Sequence, residues 1–138
     1  MLYVTPATND LNTGEALALA REVDPEGKRT LTIATKIDRR EKHSFAKQFK
    51  DQNSGLGLVC VRNRTQEEVE SGLSFDDLLR KEEIALSESD LQAVPNESKG
   101  ISQLIEQLVT LQSTMLLGCK RVLRRKLEIE RKTRDSEL

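Results

Sequence analysis

Two short polar stretches, each placed directly after an apolar run, hold the side chains in this sequence that are best suited to bind a ligand. "TKID" covers Thr35 to Asp38 after "RTLTIA", and "RNRT" covers Arg62 to Thr65 after "GLGLVCV". Apolar, β-branched runs that are bounded by charged residues predict buried strands. Ligands of open α/β sheets bind at the carboxyl ends of the strands. We therefore expect a ligand site at these two strand ends.

The residues of the two stretches match the hydrogen-bonding edges of guanine. The carboxylate of Asp38 can accept two parallel hydrogen bonds from the ring N1–H and the exocyclic amine of guanine, a charge-assisted bidentate contact. Adenine presents an acceptor where guanine has its N1–H, so it would be rejected. The aliphatic stem of Lys36 can cover one face of the base. Asn63 can donate to N7 and O6 on the opposite edge, and Arg64 can cover the other face or contact the ribose.

A simpler interpretation of each stretch is the start of a solvated loop, which is the usual setting of a Lys and an Asp after a strand. "TKID" alone favours that interpretation. The second polar stretch, at the next strand end of a parallel-sheet pattern, favours nucleotide binding. His43 is the only histidine, and because the sequence implies no Ser or Cys partner for it, we interpret it as a surface residue without a catalytic role.

The order of the predicted elements indicates an α/β fold with an incomplete parallel sheet. Strands at "MLYVTPAT", "RTLTIAT" and "GLGLVCVRN" alternate with helices at "TGEALALAREVDP", "HSFAKQFK" and "TQEEVESGLSFDDLLRKEEIALSE", as in parallel sheets with crossover helices. Thr13 is predicted to cap the first helix, and Ser74 to cap the second part of the last one after a break near Gly72. Three strands are too few for a sheet covered on both faces. We therefore expect residues 1–88 to be the second half of an α/β domain, with an apolar edge left uncovered and poor solubility.

The remaining residues are predicted to form a polar linker at 89–100 and a long helix at 101–138. Apolar side chains in this helix recur at steps of three and four, the pattern of a helix that packs on another helix. They are Ile101, Leu104, Leu108, Leu111, Met115, Cys119 and Val122.

The same helix becomes basic after Cys119, although the formal net charge of the chain is only -1. Residues 120–138 carry 8 Lys and Arg against 4 Asp and Glu. Such a segment can bind the phosphates of nucleic acid or of an anionic membrane. Glu128 and Glu130 are interspersed, however, and no aromatic residue for base stacking follows Phe75. A solvated bundle helix is therefore favoured, and nucleic acid is not expected as a partner.

Composition places the chain among cytosolic globular proteins. Its 138 residues, of which 36% are hydrophobic and 33% charged, suffice for one domain. Cys60 and Cys119 stand in apolar surroundings without metal-ligand spacing, which predicts buried thiols of a reducing compartment. The sequence has neither an apolar run of about 18 residues that would span a membrane nor the pattern of a signal peptide.

A longer stretch around the first polar segment resembles a known family. "NDLNTGEALALAREVDPEGKRTLTIATKID" is similar to the central GTPase-domain segment of the dynamin superfamily, with its D-L-x-x-x-x-A-L loop and helix, its VDPxGxRT turn and its TKxD guanine motif. "GLVCVRNRTQEE" resembles the fifth GTPase motif, and "SFDDLLRKEEIAL" resembles the E-x-x-F-F helix. "GISQLIEQLVTLQSTMLLGCKRVLRRKLE" resembles the last GTPase-domain helix, which continues into the bundle-signalling element and stalk. Among the branches of the superfamily, the dynamin-related and Mx-like proteins are favoured.

The resemblance assigns roles to two groups of residues. It implies that the guanine pocket is built from Thr35, Lys36, Asp38, Asn63 and Arg64. It also implies contacts in trans within a nucleotide-dependent dimer: Asp10 matches the acidic residue of the trans-stabilising loop, Glu41 stands where many relatives have Asp, and Gln66 occupies a position that helps build the dimer.

The catalytic parts of the family have no counterpart in this sequence. They are a phosphate-cradling glycine loop, a magnesium-binding Ser or Thr, a switch threonine and a DxPG motif, and none of the seven glycines lies in a GxxxxGK[ST] pattern. The resemblance therefore implies GTP with magnesium as the ligand of the complete domain. We expect no tight binding to this chain alone and no hydrolysis by it, and we assign no catalytic or metal-binding residue.

The hypothesis that follows is the C-terminal part of a dynamin-type GTPase domain with the start of its stalk. The longer protein would bind and hydrolyse GTP, form homo- or hetero-oligomers with dynamin-family chains, and remodel membranes, with microtubule association. It would lie in the cytoplasm and peripherally on membranes. The alternative is a truncated, non-catalytic interaction protein that modulates the assembly of full-length relatives. A basic helical nucleic-acid binder is a third, weaker alternative.

Overall fold

The α/β fold with a parallel sheet is confirmed by the computed structural model, which describes residues 1–51 and 56–136. Its three strands lie in the order β1-β2-β3 and both neighbouring pairs are parallel. The strands are β1 (Leu2–Pro6), β2 (Leu31–Thr35) and β3 (Leu58–Cys60). The side chains of His43 and of residues 133–136 lie outside the described part of the chain. The prediction that His43 is a surface side chain therefore concerns a side chain outside the described residues.

Five α-helices follow the predicted order within the described residues. They are α1 (Glu15–Val23), α2 (Lys42–Asp51), α3 (Gln66–Glu70), α4 (Phe75–Leu86) and α5 (Ile101–Ser136). The predicted break near Gly72 separates α3 from α4, and Gly72 has a positive φ of 69°. Ser74 caps α4, because its side chain accepts a hydrogen bond from the backbone N–H of Asp77.

The apolar sequence of β2 reflects its central place in the sheet. Ile33 lies opposite Val4 of β1 on one side and Val59 of β3 on the other. The first four residues of β2 are buried, as expected of a strand that is flanked on both sides and covered on both faces. On β1, by contrast, Leu2 is 50% and Val4 55% exposed, so one face of that strand is uncovered.

The main hydrophobic core lies between the sheet, α2 and the segment that follows α4. Phe45 of α2 is 1% exposed and packs with Ile37 and Cys60, and Phe49 is packed against the same cluster. Burial raises the pKa of the Cys60 thiol to about 12, so this cysteine is protonated at neutral pH. The prediction that Phe45 and Phe49 are packing residues and that Cys60 is a core thiol is confirmed.

The "VDPEGKRT" turn is held by one buried carboxylate. Asp24 Oδ2 accepts hydrogen bonds from the backbone N–H of Arg29 and from Oγ1 of Thr30, both at 2.7 Å. The Thr30 hydrogen bond is the largest cause of a lowered pKa at Asp24. The motif that carries part of the family resemblance is therefore a structural turn, which leads the chain from α1 into β2.

Residues 89–100 contact the sheet through buried apolar side chains. Leu91 is fully buried and Val94 is 2% exposed. The backbone N–H of Gly100 donates to the carbonyl of Cys60 at 2.8 Å, beside a parallel bridge between Cys60 and Lys99. The free edge of β3 is thus occupied by the chain just before α5.

Two predictions about individual residues are wrong. Thr13 does not cap α1: the N-cap is Gly14 at φ 140°, without a side-chain cap, because the carbonyl of Gly14 accepts the first helical hydrogen bond from Ala18. Cys119 is exposed, as are the other seam residues from Met115 onward, so of the two cysteines only Cys60 is a buried thiol.

The chain divides into two compact units, residues 1–104 and residues 105–138. In the second unit, whose described residues all belong to α5, the predicted apolar seam is half-buried at Leu108 and Leu111 and exposed from Met115 onward. No helix among the described residues combines the length and the apolar character needed to span a bilayer.

Candidate nucleotide-binding site

All of the predicted site residues follow the carboxyl ends of the three strands. Because the strands are parallel, these ends lie at one edge of the sheet. Asp10 follows β1, residues 35–41 end and follow β2, and residues 62–66 follow β3. The parallel topology therefore brings these three groups of residues to one edge of the sheet, although more than twenty residues separate each group from the next in the sequence.

The "TKID" turn has an unusual backbone that presents two side chains outward and buries a third. Lys36 has φ 56° and ψ 41°, and it is the only non-glycine residue with positive φ in the described part of the chain. A left-handed backbone with a Cβ costs about 1–2 kcal/mol, and such strain is typical of functional turns. After this reversal Ile37 is fully buried, whereas Lys36 and Asp38 are exposed.

The "RNRT" segment lies directly beside this turn. The N–H of Ile37 donates to the carbonyl of Val61 at 3.4 Å, and the N–H of Val61 donates to the carbonyl of Ala34 at 2.9 Å, so pairing continues past the ends of β2 and β3. Asn63 and Arg64 are both exposed. The structure thus brings the two predicted halves of the base site to neighbouring positions.

The buried guanidinium of Arg40 supports the "TKID" turn through hydrogen bonds. The side chain of Arg40 has 0% exposure, and its Nη1 donates to the carbonyl of Ile37 at 2.7 Å. Its Nε and Nη2 form a bidentate contact with Asp90 at 2.9 and 2.6 Å, and Nη2 also reaches Glu88 at 3.3 Å. The Arg40 hydrogen bond holds the pKa of Asp90 below its ordinary value. The turn that carries Asp38 is therefore fixed to residues 88–90.

A second buried ion pair supports the "RNRT" segment. Nη2 of Arg62 donates to Glu68 Oε1 at 2.8 Å, and the ammonium of Lys81 reaches the same oxygen at 2.7 Å. Glu68 Oε2 accepts from the backbone N–H of Thr65, whose hydroxyl in turn accepts from the N–H of Glu68, which forms a capping box. The hydrogen bond from Arg62, followed by that from Lys81, strongly lowers the pKa of Glu68.

Glu82 connects the end of β3 to the start of α5. It is 4% exposed, and its two oxygens accept from the backbone N–H groups of Arg62 and Ile101, both at 2.9 Å. Gly100, at φ +91°, lies close to it: a Cβ there would meet Glu82 Oε2 at 3.3 Å. The strand end and the helix start are therefore held by one buried carboxylate.

The remaining predicted site residues have local contacts. Thr35 Oγ1 donates to the carbonyl of Thr5 at 3.4 Å, and Asp10 Oδ1 accepts from the N–H of Asn12 at 2.9 Å. Glu41 Oε2 accepts from the Ser44 hydroxyl at 3.2 Å. Gln66 Nε2 donates to Glu70 at 2.9 Å within α3. Asp10, Glu41 and Gln66 are exposed, and their roles in trans stay a prediction.

The residues that support the site are not recognisable as such in the sequence. Arg40, Arg62, Glu68 and Glu82 are buried charges that read as ordinary surface residues in the sequence. Only Glu68 had a recognisable signal, the Thr-x-x-Glu spacing of a capping box that begins at Thr65. Arg40 pairs with Asp90, 50 positions away, and Glu82 accepts from the backbone of Arg62, 20 positions away, distances in sequence that no local pattern reveals.

The exposed side chains at this edge of the sheet bear functional groups of the kind that contact a purine base. An exposed carboxylate, an outward lysine stem and an exposed amide share one edge, as guanine recognition requires. Among the residues described, no group of three or more His, Cys, Asp or Glu could hold a metal ion. We therefore derive no step that involves magnesium or phosphoryl transfer.

Comparison with known proteins agrees with the resemblance in the sequence. No family model matches the chain. Over 121 residues, 86% of this chain, it is 34% identical to Dynamin-related protein 4C of Arabidopsis thaliana and covers 17% of that protein. Dynamin-A of Dictyostelium discoideum is 42% identical over 85 residues, 59% of this chain and 10% of its own length. Dynamin-1-like protein of Danio rerio is 41% identical over 88 residues, with shares of 59% and 12%. The chain thus spans less than a fifth of each of these relatives.

Proposed function

This chain belongs to the dynamin superfamily, of whose members it matches a segment, and we infer that this segment binds the guanine base of GTP within a dynamin-type GTPase domain. The observation that carries the proposal is the left-handed turn at Lys36. It exposes Lys36 and Asp38 while Ile37 anchors the turn in the core, beside the exposed Asn63 and Arg64.

The roles of the five residues follow from their chemistry. Asp38 accepts the two N–H groups of the guanine edge, and the stem of Lys36 covers one face of the base. Asn63 donates to N7 and O6, and Arg64 covers the other face. Thr35 ends β2 and is tied to β1 through its hydroxyl, so it positions the turn.

The larger activities belong to the longer protein of which this segment would be part. That protein would bind GTP with magnesium and hydrolyse it, because phosphate-binding residues outside this segment complete the domain. It would oligomerise with dynamin-family chains through Asp10, Glu41 and Gln66, act on membranes with microtubule association, and lie in the cytoplasm and peripherally on membranes. Residues 1–88 would contribute the base-binding half, and residues 101–138 the last GTPase-domain helix, which would continue into the bundle-signalling element and stalk.

The base site can be tested on this chain directly. A bidentate carboxylate contact with stacking on one or two faces corresponds to a Kd on the order of 1 mM for a base without phosphate contacts. We expect guanosine monophosphate (GMP) at millimolar concentration to shift the NMR amide signals of residues 35–38 and 61–64, and adenosine monophosphate (AMP) to leave them unchanged. Equal shifts with both nucleotides, or none with either, would refute the proposal.

A second candidate function is a non-catalytic partner of full-length relatives. It is favoured by the apolar side chains that α5 exposes: Leu116 is 64%, Leu123 61% and Leu127 65% exposed. We expect the chain to bind a full-length dynamin relative in a pull-down, and we expect Leu123→Glu to weaken that binding. A chain that binds no relative would leave only the first function.

A further inference from the structure

Arg62 is a buried cation with one unused end. Its backbone N–H donates to Glu82, and its Nη2 donates to Glu68. The side chain is 9% exposed, and Nη1 is buried without a hydrogen-bond partner in the described part of the chain. Since a buried donor without an acceptor is unfavourable, this nitrogen requires an explanation.

The two buried carboxylates that contact Arg62 already accept other hydrogen bonds. Glu68 accepts from Arg62 Nη2, from Lys81 and from the backbone N–H of Thr65. Each oxygen of Glu82 accepts from a backbone N–H group, one from Arg62 and one from Ile101. Neither is directed at Nη1.

Asp38 is the remaining acidic neighbour, because the residues that precede Asp38 and Arg62 are hydrogen-bonded to each other: the N–H of Ile37 donates to the carbonyl of Val61 at 3.4 Å. Arg62 has a raised pKa, caused first by its hydrogen bond to Glu68 and further by the charges of Glu68, Asp38 and Glu82. Asp38 is exposed, and its carboxylate makes no hydrogen bond or ion pair with the residues described. An unused donor and an unused acceptor therefore lie at the same edge of the sheet.

We propose that Arg62 is the positioning residue that orients Asp38 for guanine, with Nη1 donating to the Asp38 carboxylate when the base is bound. This inference rests on the proposed base site. A carboxylate has about four acceptor positions, so Asp38 can face both N–H groups of guanine and still accept from Nη1. The guanidinium is itself fixed by Glu68, and it would restrict the rotation of an otherwise free aspartate.

The test uses inosine monophosphate (IMP), which keeps the ring N1–H but lacks the exocyclic amine. The ratio of the Kd values of IMP and GMP therefore reports the second hydrogen bond to Asp38, the one that depends on its orientation. NMR titrations of the whole chain would compare the unmodified protein with Arg62→Gln. Arg39→Gln is the matched control, because it removes the same charge from an exposed residue next to Asp38.

We expect a ratio of about tenfold or more in the unmodified chain and in Arg39→Gln. We expect Arg62→Gln to bring the ratio close to one and Arg62→Lys to restore part of it. In an Asp38→Asn background, Arg62→Gln should change the ratio no further, because both residues act through the same contact. A merely structural Arg62 would weaken both nucleotides equally and leave the ratio unchanged.

The outcomes distinguish a failure of the proposed guanine site from a failure of the proposed role of Arg62. If the unmodified chain does not prefer GMP to AMP, the proposed function fails and the role of Arg62 fails with it. If that preference is present and Arg62→Gln keeps the IMP to GMP ratio, only the role of Arg62 is refuted.

A measurement that leaves Arg62 in place covers the case in which its variants do not fold. The guanidinium NMR signals of Arg62 should shift when GMP is added to the unmodified chain and stay in place in Asp38→Asn, at a GMP concentration that still shifts the amide signals of residues 63 and 64 in that variant. A shift in both proteins, or in neither, would refute the pairing of Arg62 with Asp38.

Discussion

Residues 1–104 bury charged side chains, whereas α5 beyond them exposes apolar ones. In the first unit the fully buried guanidinium of Arg40 contacts Asp90, and Arg62 contacts Glu68 with both side chains about one-tenth exposed. In α5, Leu123 and Leu127 are more than half exposed. A buried charge needs a specific partner at a fixed distance, whereas an apolar stripe needs only another apolar surface. The two units therefore differ in what they bury: the first holds paired charges in its interior, and the second leaves an apolar stripe exposed.

Among the polar contacts, the largest effect should come from removing the side chain of Arg40, which supports the turn. Arg40→Ala leaves Asp90 without its bidentate partner and frees the carbonyl of Ile37. Removal of one partner of a buried ion pair costs about 3–5 kcal/mol, so we expect a loss at the lower end, about 3 kcal/mol, because Asp90 is 20% exposed. Urea denaturation of the variant and the unmodified chain measures this loss of unfolding free energy.

Lys28→Ala is the control for that prediction. Lys28 and Glu26 form an ion pair whose side chains are 76% and 69% exposed, and exposed pairs contribute about 1 kcal/mol or less. Equal losses of unfolding free energy in Arg40→Ala and Lys28→Ala would show that burial of the Arg40 contacts does not matter.

The buried pairs should also make the first unit sensitive to acid. Hydrogen bonds from Arg62 and Arg40 lower the pKa of Glu68 and of Asp90 in the folded chain. A carboxyl with a lowered folded pKa contributes stability above its unfolded pKa of about 4, and this contribution is lost as the pH falls toward the folded value. We expect the free energy of unfolding to decrease below about pH 4, measured by urea denaturation at a series of pH values.

The variant Glu68→Gln tests how much the Arg62–Glu68 pair contributes to the loss of stability in acid. The variant should be less stable than the unmodified chain at neutral pH, and its stability should depend less on pH in the acid range, because the titrating group is gone. An unchanged acid slope would mean that the Arg62–Glu68 pair does not contribute to the pH dependence.

A smaller effect, of opposite sign, is expected at the strained residue of the turn. Lys36→Gly removes the Cβ that makes φ 56° unfavourable, at the cost of a more flexible unfolded chain. We expect the free energy of unfolding to rise by about 0.5 kcal/mol, while GMP binding weakens because the lysine stem is lost. Lys36→Ala is the control: it keeps the strain, so it should weaken binding without the gain. Equal stability of the two variants would contradict strain at this position.

The smallest effect is expected on the exposed face of α5. Leu127 is 65% exposed, so Leu127→Gln should change the free energy of unfolding by about 0.5 kcal/mol or less. Leu91→Ala, at a fully buried position of the first unit, should cost about 2–5 kcal/mol. A large loss in Leu127→Gln would show that this face of α5 is covered in solution, which thermal or urea denaturation at several protein concentrations would detect.

The sequence predicted those parts of the fold that depend on local patterns. The three strands, the break between α3 and α4, and the Ser74 cap each depend on residues within a few positions of one another. The prediction that Thr13 caps α1 also depended on a local pattern, and it is wrong. The N-cap is the adjacent Gly14, whose φ of 140° a threonine would adopt only with strain.

The candidate site was predictable in its outward residues and not in its supports. Polar side chains directly after apolar strands identify Lys36 and Asp38, but the left-handed backbone of Lys36 has no signal in its residue type. Arg40 and Asp90 are fifty positions apart, so their contact depends on the packing of the whole unit. The same limit holds for Glu82, whose two partners lie about twenty positions away on either side.

The central claim is that Asp38 selects guanine through two hydrogen bonds. Asp38→Asn replaces one acceptor oxygen by an amide donor, which no longer matches the guanine edge but matches xanthine, whose 2-oxo group accepts. In NMR competition titrations with GMP and xanthosine monophosphate, we expect the unmodified chain to prefer GMP and Asp38→Asn to prefer xanthosine monophosphate. If the preference of the two proteins is the same, Asp38 does not read the base and the account is wrong.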